Sequence, residues 1–185
     1  MEISTIFAIK QYVLYSVAYD EKENEFKRLF DLWIHDFEYL ESFFEENRAD
    51  LQSGFWGDIS VDKAIDKTRK SAIRLRKQFY DIANNTESTN NKLQQIFRPL
   101  RNDEYQLNAL SKEKSKESWL RIYAIRISEN AYVVSGGAIK LTQTMNNTGS
   151  HLLLELRKLE LTKQFLIENG LTDESDFGFF EFIPE

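Results

Sequence analysis

The period of the apolar positions changes along the chain, and each period predicts a different element. From Ile3 to Tyr19 β-branched and aromatic residues dominate, which predicts one long strand or a hairpin turning near Lys10-Gln11. A charged turn, Asp20 to Asn24, ends it. Phe26, Leu29, Phe30, Trp33, Phe37, Leu40 and Phe44 then recur at three- and four-residue spacing, so one amphipathic helix is expected, with Asp31, Glu38, Glu41 and Glu45 on its other side. Leu51 to Asp58 contains two glycines and reads as a loop pinned by Phe55 and Trp56. Ser60 is the expected N-cap of a second helix, and Ile59 is placed to staple against Ala64. That helix carries Val61, Ala64, Ile65, Ala72, Leu75, Phe79 and Ile82 inward. A basic outer face of Lys67, Arg69, Lys70, Arg74, Arg76 and Lys77 is expected opposite.

Asn84 to Asn91 is polar and breaks the helical period, as a linker or exposed loop does. Beyond it the texture is β: Phe97 to Leu100, then Tyr105 to Leu110, then a charged turn from Ser111 to Ser118. Trp119 to Ile127 is the clearest strand, and Ser128 to Asn130 turns it into a partner, Ala131 to Leu141, with a bulge expected at Gly136-Gly137. Asn146 to Gly149 reads as a loop. A last helix starts near Ser150, with Leu152, Leu156, Leu159 and Leu166 inward and Asn169-Gly170 as its stop.

These elements predict an α+β fold: an antiparallel sheet of about four to five strands packed by helices. Residues 1–95 supply a strand or hairpin and a helical region to the same core. Residues 96–170 supply the sheet and a closing helix, and 171–185 form an acidic-aromatic tail.

Composition narrows the chemistry. The chain of 185 residues is 42% hydrophobic, with 14 Phe, 8 Tyr and 3 Trp, enough for a packed core. It has no cysteine, which excludes disulfides and thiolate metal sites and fits a reducing compartment. No signal peptide or bilayer-spanning run is visible, so a cytoplasmic protein without membrane contact is expected. Net charge is −6 but uneven: −4 over 1–95, +3 over 96–170 and −5 over 171–185. General nucleic-acid binding needs cations, so only the middle block is suited to it.

His35 and His151 are the only histidines and form no metal or nucleophile constellation; neither a metal nor a cofactor is implied. The Trp119 to Ile127 strand is more informative. Alternation puts Trp119, Arg121, Tyr123, Ile125 and Ile127 on one face and Leu120, Ile122, Ala124 and Arg126 on the other. With the Leu120 face under helices, Arg121 and Tyr123 stand side by side on the opposite one. A guanidinium grips phosphate and a ring stacks on a base, so the pair suits RNA; the plainer alternative is an Arg121 ion pair and a core Tyr123.

The segments Trp119 to Ile127 (WLRIYAIRI) and Tyr132 to Thr144 (YVVSGGAIKLTQT) resemble the central hairpin of RelE/HigB-type toxins and their phage-derived relatives, over about residues 96–170. The order of elements is similar too: strand, helices, three antiparallel strands and a closing helix. The resemblance implies a metal-independent endoribonuclease acting on messenger RNA, free or on the ribosome, with a small antitoxin protein as partner. Carried over, Arg121 contacts the scissile phosphate, Tyr123 stacks or assists, and Lys140 supplies a second positive charge. Arg126 falls on the other face. Ser135 stands where many relatives have His, and residues 20–95 exceed the family's helical pair, which keeps open a non-enzymatic interaction module on a degenerate toxin fold. Phe55 and Trp56 are its natural anchors. The acidic tail 171–185 is a candidate mask over Arg121 and Lys140.

Overall fold

A computed structural model of the protein describes residues 1–84, 93, 97–99, 108–112, 118–128, 131–141 and 150–178. The first segment is a hairpin, β1 (Ile3–Lys10) and β2 (Leu14–Tyr19), turning one residue later than expected through Tyr12 at φ 63°. The expected single helix is two: α1 (Glu25–Ile34) and α2 (Phe37–Glu46). Each has its own cap, Asn24 Oδ1 accepting from Lys27 N and Asp36 Oδ1 accepting from Tyr39 N, both at 2.9 Å. Asp36 therefore starts a new helix where the apolar period runs on unbroken, and Phe37 is left 53% exposed rather than inward.

A one-turn helix, α3 (Arg48–Leu51), precedes the glycine-containing loop, and α4 (Val61–Asn84) follows it, capped by Ser60 as the sequence predicts. Lys67 and Arg69 leave the predicted outer face. The Lys67 ammonium lies 4.7 Å from the Trp119 ring, and Arg69 Nε donates to the Ile34 carbonyl at 2.8 Å. Then come β3 (Phe97–Pro99), β4 (Asn108–Lys112), β5 (Leu120–Arg126), β6 (Tyr132–Ile139) and α5 (Ser150–Glu168), before a short 3₁₀ helix, Glu174–Phe177. β4 takes Ser111 and Lys112 from the expected charged turn. The predicted loops at 85–91 and 146–149 lie outside the described residues.

The fold is α+β, as the sequence predicts, with two corrections. Among the described residues the sheet has six strands in the order β1-β2-β6-β5-β4-β3, and it is mixed. β2 runs parallel to β6, pairing Leu14, Tyr15 and Ser16 with Tyr132, Val133 and Val134, while the other pairings are antiparallel. The predicted bulge falls at Ser135: Tyr123 pairs with Gly136 and Ala124 with Val134, leaving Ser135 as the extra residue.

Both faces of the sheet are covered. Leu14, Leu120, Ile122, Ala124, Tyr132 and Val134 join the core built with α1, α2 and α4. Tyr15, Val17, Tyr123, Ile125, Val133 and Ala138 join a second core closed by Leu152, Leu159 and Leu166 of α5 and by Phe177. α5 ends as expected: Gly170 has φ 68°, its N–H bonds to Ile167 O, and Leu171 N–H bonds to Leu166 O, the paired bonds of a Schellman end. Leu156 is only half-buried, whereas Glu155 and Thr162 occupy the inner stripe. No helix among the described residues is long and apolar enough to cross a membrane.

Candidate functional site

The register of β5 and β6 puts the predicted residues on one face. Arg121 pairs with Ala138 and Tyr123 with Gly136, and Lys140, two residues beyond Ala138, follows the same alternation as its N–H bonds to the Trp119 carbonyl at 2.8 Å. Arg126 falls on the other face, as alternation requires. The face is not open, which corrects the expected exposed surface: α5 lies over it, and Arg121, Tyr123 and Lys140 are 6%, 3% and 8% exposed.

Arg121 is neither exposed nor ion-paired. Its Nη1 donates to the carbonyls of Ser118 (2.9 Å) and Leu120 (2.8 Å), and no carboxylate balances its charge among the described residues. Among the described residues its Nε and Nη2 make no hydrogen bond, and neither does the Tyr123 hydroxyl. The one sealed side-chain nitrogen or oxygen without a partner among the described residues is Trp33 Nε1. Burial pulls the Arg121 guanidinium below its usual range, partly offset by the neighbouring Tyr123. Burial pushes the Tyr123 phenol up, and Glu155 adds to the rise against Arg121. A phenol held protonated donates hydrogen bonds at neutral pH and makes a poor base. The Arg121 guanidinium can only donate, whereas the protonated Tyr123 hydroxyl can donate and accept.

Beside them sits a cluster that sequence reasoning missed. Lys158 of α5 lies 3.0 Å from Glu25 Oε2 of α1 and 2.9 Å from Glu155 Oε1, with all three side chains buried. Glu25 also takes a two-pronged bond from Arg28, both contacts at 2.7 Å. Glu155 Oε2 accepts from Gly137 N at 2.8 Å. Burial pushes the Glu155 carboxyl up, against the pull of Lys158. Tyr19 O–H lies 2.9 Å from Thr162 Oγ1 and 3.0 Å from the Ser135 carbonyl. The glycine pair makes this approach possible. A Cβ on Gly136 would collide with the Glu155 carboxylate, and one on Gly137 would lie 2.6 Å from the Arg121 carbonyl and 2.8 Å from Leu29 Cδ1. The available signal was the phase of α5, since Glu155 and Thr162 fall in register with Leu152, Leu159 and Leu166.

At the end of the sheet that holds Arg121 a second group packs on the opposite face, and Trp119, expected beside Arg121, belongs to it. Trp56 Nε1 donates to the Leu141 carbonyl at 2.8 Å, its ring meets Trp119 edge-on at 5.1 Å, and Trp119 Nε1 donates to Thr68 Oγ1 at 2.8 Å. The loop thus lids the core through Trp56, while Phe55 stays 47% exposed and belongs to neither core. His151 Nε2 lies 3.3 Å from the Ile139 carbonyl, and His35 ends α1.

The described part of the tail does not mask Arg121. Phe177 inserts against Tyr15 with ring centres 4.7 Å apart, Gln11 Nε2 donates to its carbonyl, and Asp173 and Asp176 cap their own 3₁₀ turn. Residues 179–185 lie outside the described residues. The chain matches no family model, no curated protein and no solved structure.

Proposed function

We propose that this is a toxin-like RNA-cleaving or RNA-binding protein that acts without a metal through Arg121, Tyr123 and Lys140 on one face of its sheet. One observation carries the reading. Arg121 is a nearly buried cation with no carboxylate partner among the described residues, on the sheet face that it shares with Tyr123 and Lys140. A desolvated guanidinium is expensive to keep without an anion, and a phosphodiester supplies one with matching fork geometry. Arg121 then stabilises charge on the phosphate in the transition state, Lys140 adds to the field, and Tyr123 donates a hydrogen bond or a proton. The order of elements, with α5 closing the sheet after β6, is consistent with the RelE/HigB resemblance.

Inducible expression in a bacterial host tests this. The expected result is growth arrest with fragmented messenger RNA, both relieved by Arg121→Gln and by Tyr123→Phe at unchanged protein level. Unimpaired growth with intact RNA removes the nuclease reading.

A second reading, a non-enzymatic module that binds a protein such as a small antitoxin, draws on the outer side of α5, where Leu153, Leu154 and Ile167 are 58%, 46% and 55% exposed. Co-purification of a host or neighbouring-gene product, lost on Leu153→Glu, supports it.

A further inference from the structure

α1, α2 and α4 cover one face of the sheet, and the outward side of the last two is divided by charge. α2 buries Leu40 and Phe44 and turns Glu38, Glu41 and Glu45 outward at three- and four-residue spacing. α4 buries Ala64, Ala72, Leu75 and Phe79. It turns Lys63, Lys70, Arg74 and Lys77 outward along one line of about 21 Å. The two helices pack together, and the Arg69 guanidinium 5.3 Å from the Phe37 ring marks the seam between them. Two apolar side chains are exposed at that seam: Phe37 at 53%, and Ile73, one turn beyond Arg69, at 48%. Across this surface the order is therefore acidic stripe, apolar seam, basic stripe.

Local ion pairs do not use up these charges. Lys70 and Lys77 each hold an aspartate one turn away at 2.6 Å, but at exposed positions, where such pairs contribute little. Among the described residues Lys63 and Arg74 contact no carboxylate, and Glu38 and Glu41 contact no cation. A nucleic acid approaching the α4 line would meet the α2 acids beside it, on a chain whose net charge is already −6. A second copy meets no such conflict. A surface ordered acid, apolar, base is complementary to itself: a twofold axis along the seam lays apolar on apolar and each acidic stripe on the partner's basic one.

We infer that this face joins two copies of the chain, α2 of each against α4 of the other across the Phe37–Ile73 seam. The apolar centre is desolvated on docking, and the flanking stripes set the register and reject surfaces of the wrong charge. The inference stands apart from the RNA reading, because these helices cover the sheet face opposite Arg121. It also gives the enlarged N-terminal region a task.

The test is sedimentation velocity of the full chain over a range of concentrations, at low and at high salt. The wild type is expected to dimerise at low salt and to dissociate as salt rises, since counterions screen exposed stripes. Two charge-reversed variants are compared: Lys63→Glu with Arg74→Glu, and Glu38→Lys with Glu41→Lys. Each is expected to raise the dimer Kd roughly 10-fold or more, because like charges then face each other. Circular dichroism is expected to stay unchanged, as all four side chains are exposed. An equimolar mixture of the two variants is expected to recover association, since every acidic stripe again meets a basic one. A wild type that stays monomeric at low salt overturns the dimer, and so does a mixture that fails to associate. Dimers that survive both reversals overturn the assignment to this face. A monomeric wild type that binds single-stranded RNA, with binding lost in Lys63→Glu with Arg74→Glu, also overturns it and hands the basic line to a phosphate backbone.

Discussion

Lys158 Nζ lies 3.0 Å from Glu25 Oε2, joining the last helix to the first across 133 residues of sequence. Arg28 and Glu155 complete a cluster of two acids and two bases, so the charges balance only while every member is present. Removing one partner leaves a buried charge uncompensated, which costs more than the pair itself contributes. Lys158→Met is therefore expected to destabilise the fold by about 3 kcal/mol, read from urea unfolding. A change near zero would mean that the ammonium is not confined in this cluster.

Gly137 is the tighter of the two adjacent glycines. A methyl there meets the Arg121 carbonyl at 2.6 Å, a backbone atom that cannot swing aside, as well as Leu29 Cδ1 and Trp33 Cη2. Gly137→Ala is expected to cost about 1–3 kcal/mol through overpacking. Gly136→Ala meets only the ends of the Glu155 and Lys158 side chains. It is expected to act by moving the Glu155 carboxylate, so combining it with Glu155→Ala should restore part of its loss. Thermal unfolding of the three variants decides between the two mechanisms.

The Trp56 indole combines a ring contact with a bond to Leu141. Trp56→Phe keeps a ring in place and removes the donor, so a loss of about 1 kcal/mol is expected. Trp56→Ala is expected to lose more, and to free the loop enough for its amides to exchange faster with deuterium.

The tyrosines set the alkaline limit. Burial, the largest influence on each, pushes the Tyr19, Tyr39 and Tyr123 phenols above the usual tyrosine value of 10.0. Their folded values exceed their unfolded ones, so the unfolded chain loses these protons first as pH rises. Their contribution to stability is whole below pH 10.0 and falls away as pH climbs towards the folded values. Unfolding free energy measured against pH should drop on that side, less steeply in Tyr123→Phe. An identical slope in the variant would contradict the burial account.

What the sequence discloses follows the range of each signal. Arg121, Tyr123 and Lys140 share a face because the strand period is two, and that period is visible within a few residues. Their burial was not legible. The helix that covers them carries Glu155, Lys158 and Thr162 inward, so its inner stripe reads as a face interrupted by polar residues. The break before α2 was concealed because Phe37 keeps the apolar period while Asp36 restarts the helix. The parallel pairing of β2 with β6 has no local signature at all, since it depends on contacts between distant parts of the chain.

That pairing also governs the order in which the molecule can be assembled. Ser16 Oγ lies 3.5 Å from the Val134 carbonyl, 118 residues further along. During synthesis the opening hairpin leaves the ribosome early, yet one edge of it stays without a hydrogen-bonding partner until β6 has emerged. A bare strand edge of this kind invites mispairing with other nascent chains. The slow step in maturation is expected to be capture of the hairpin by the late strand, and a chain truncated before Tyr132 should aggregate rather than accumulate as a folded fragment.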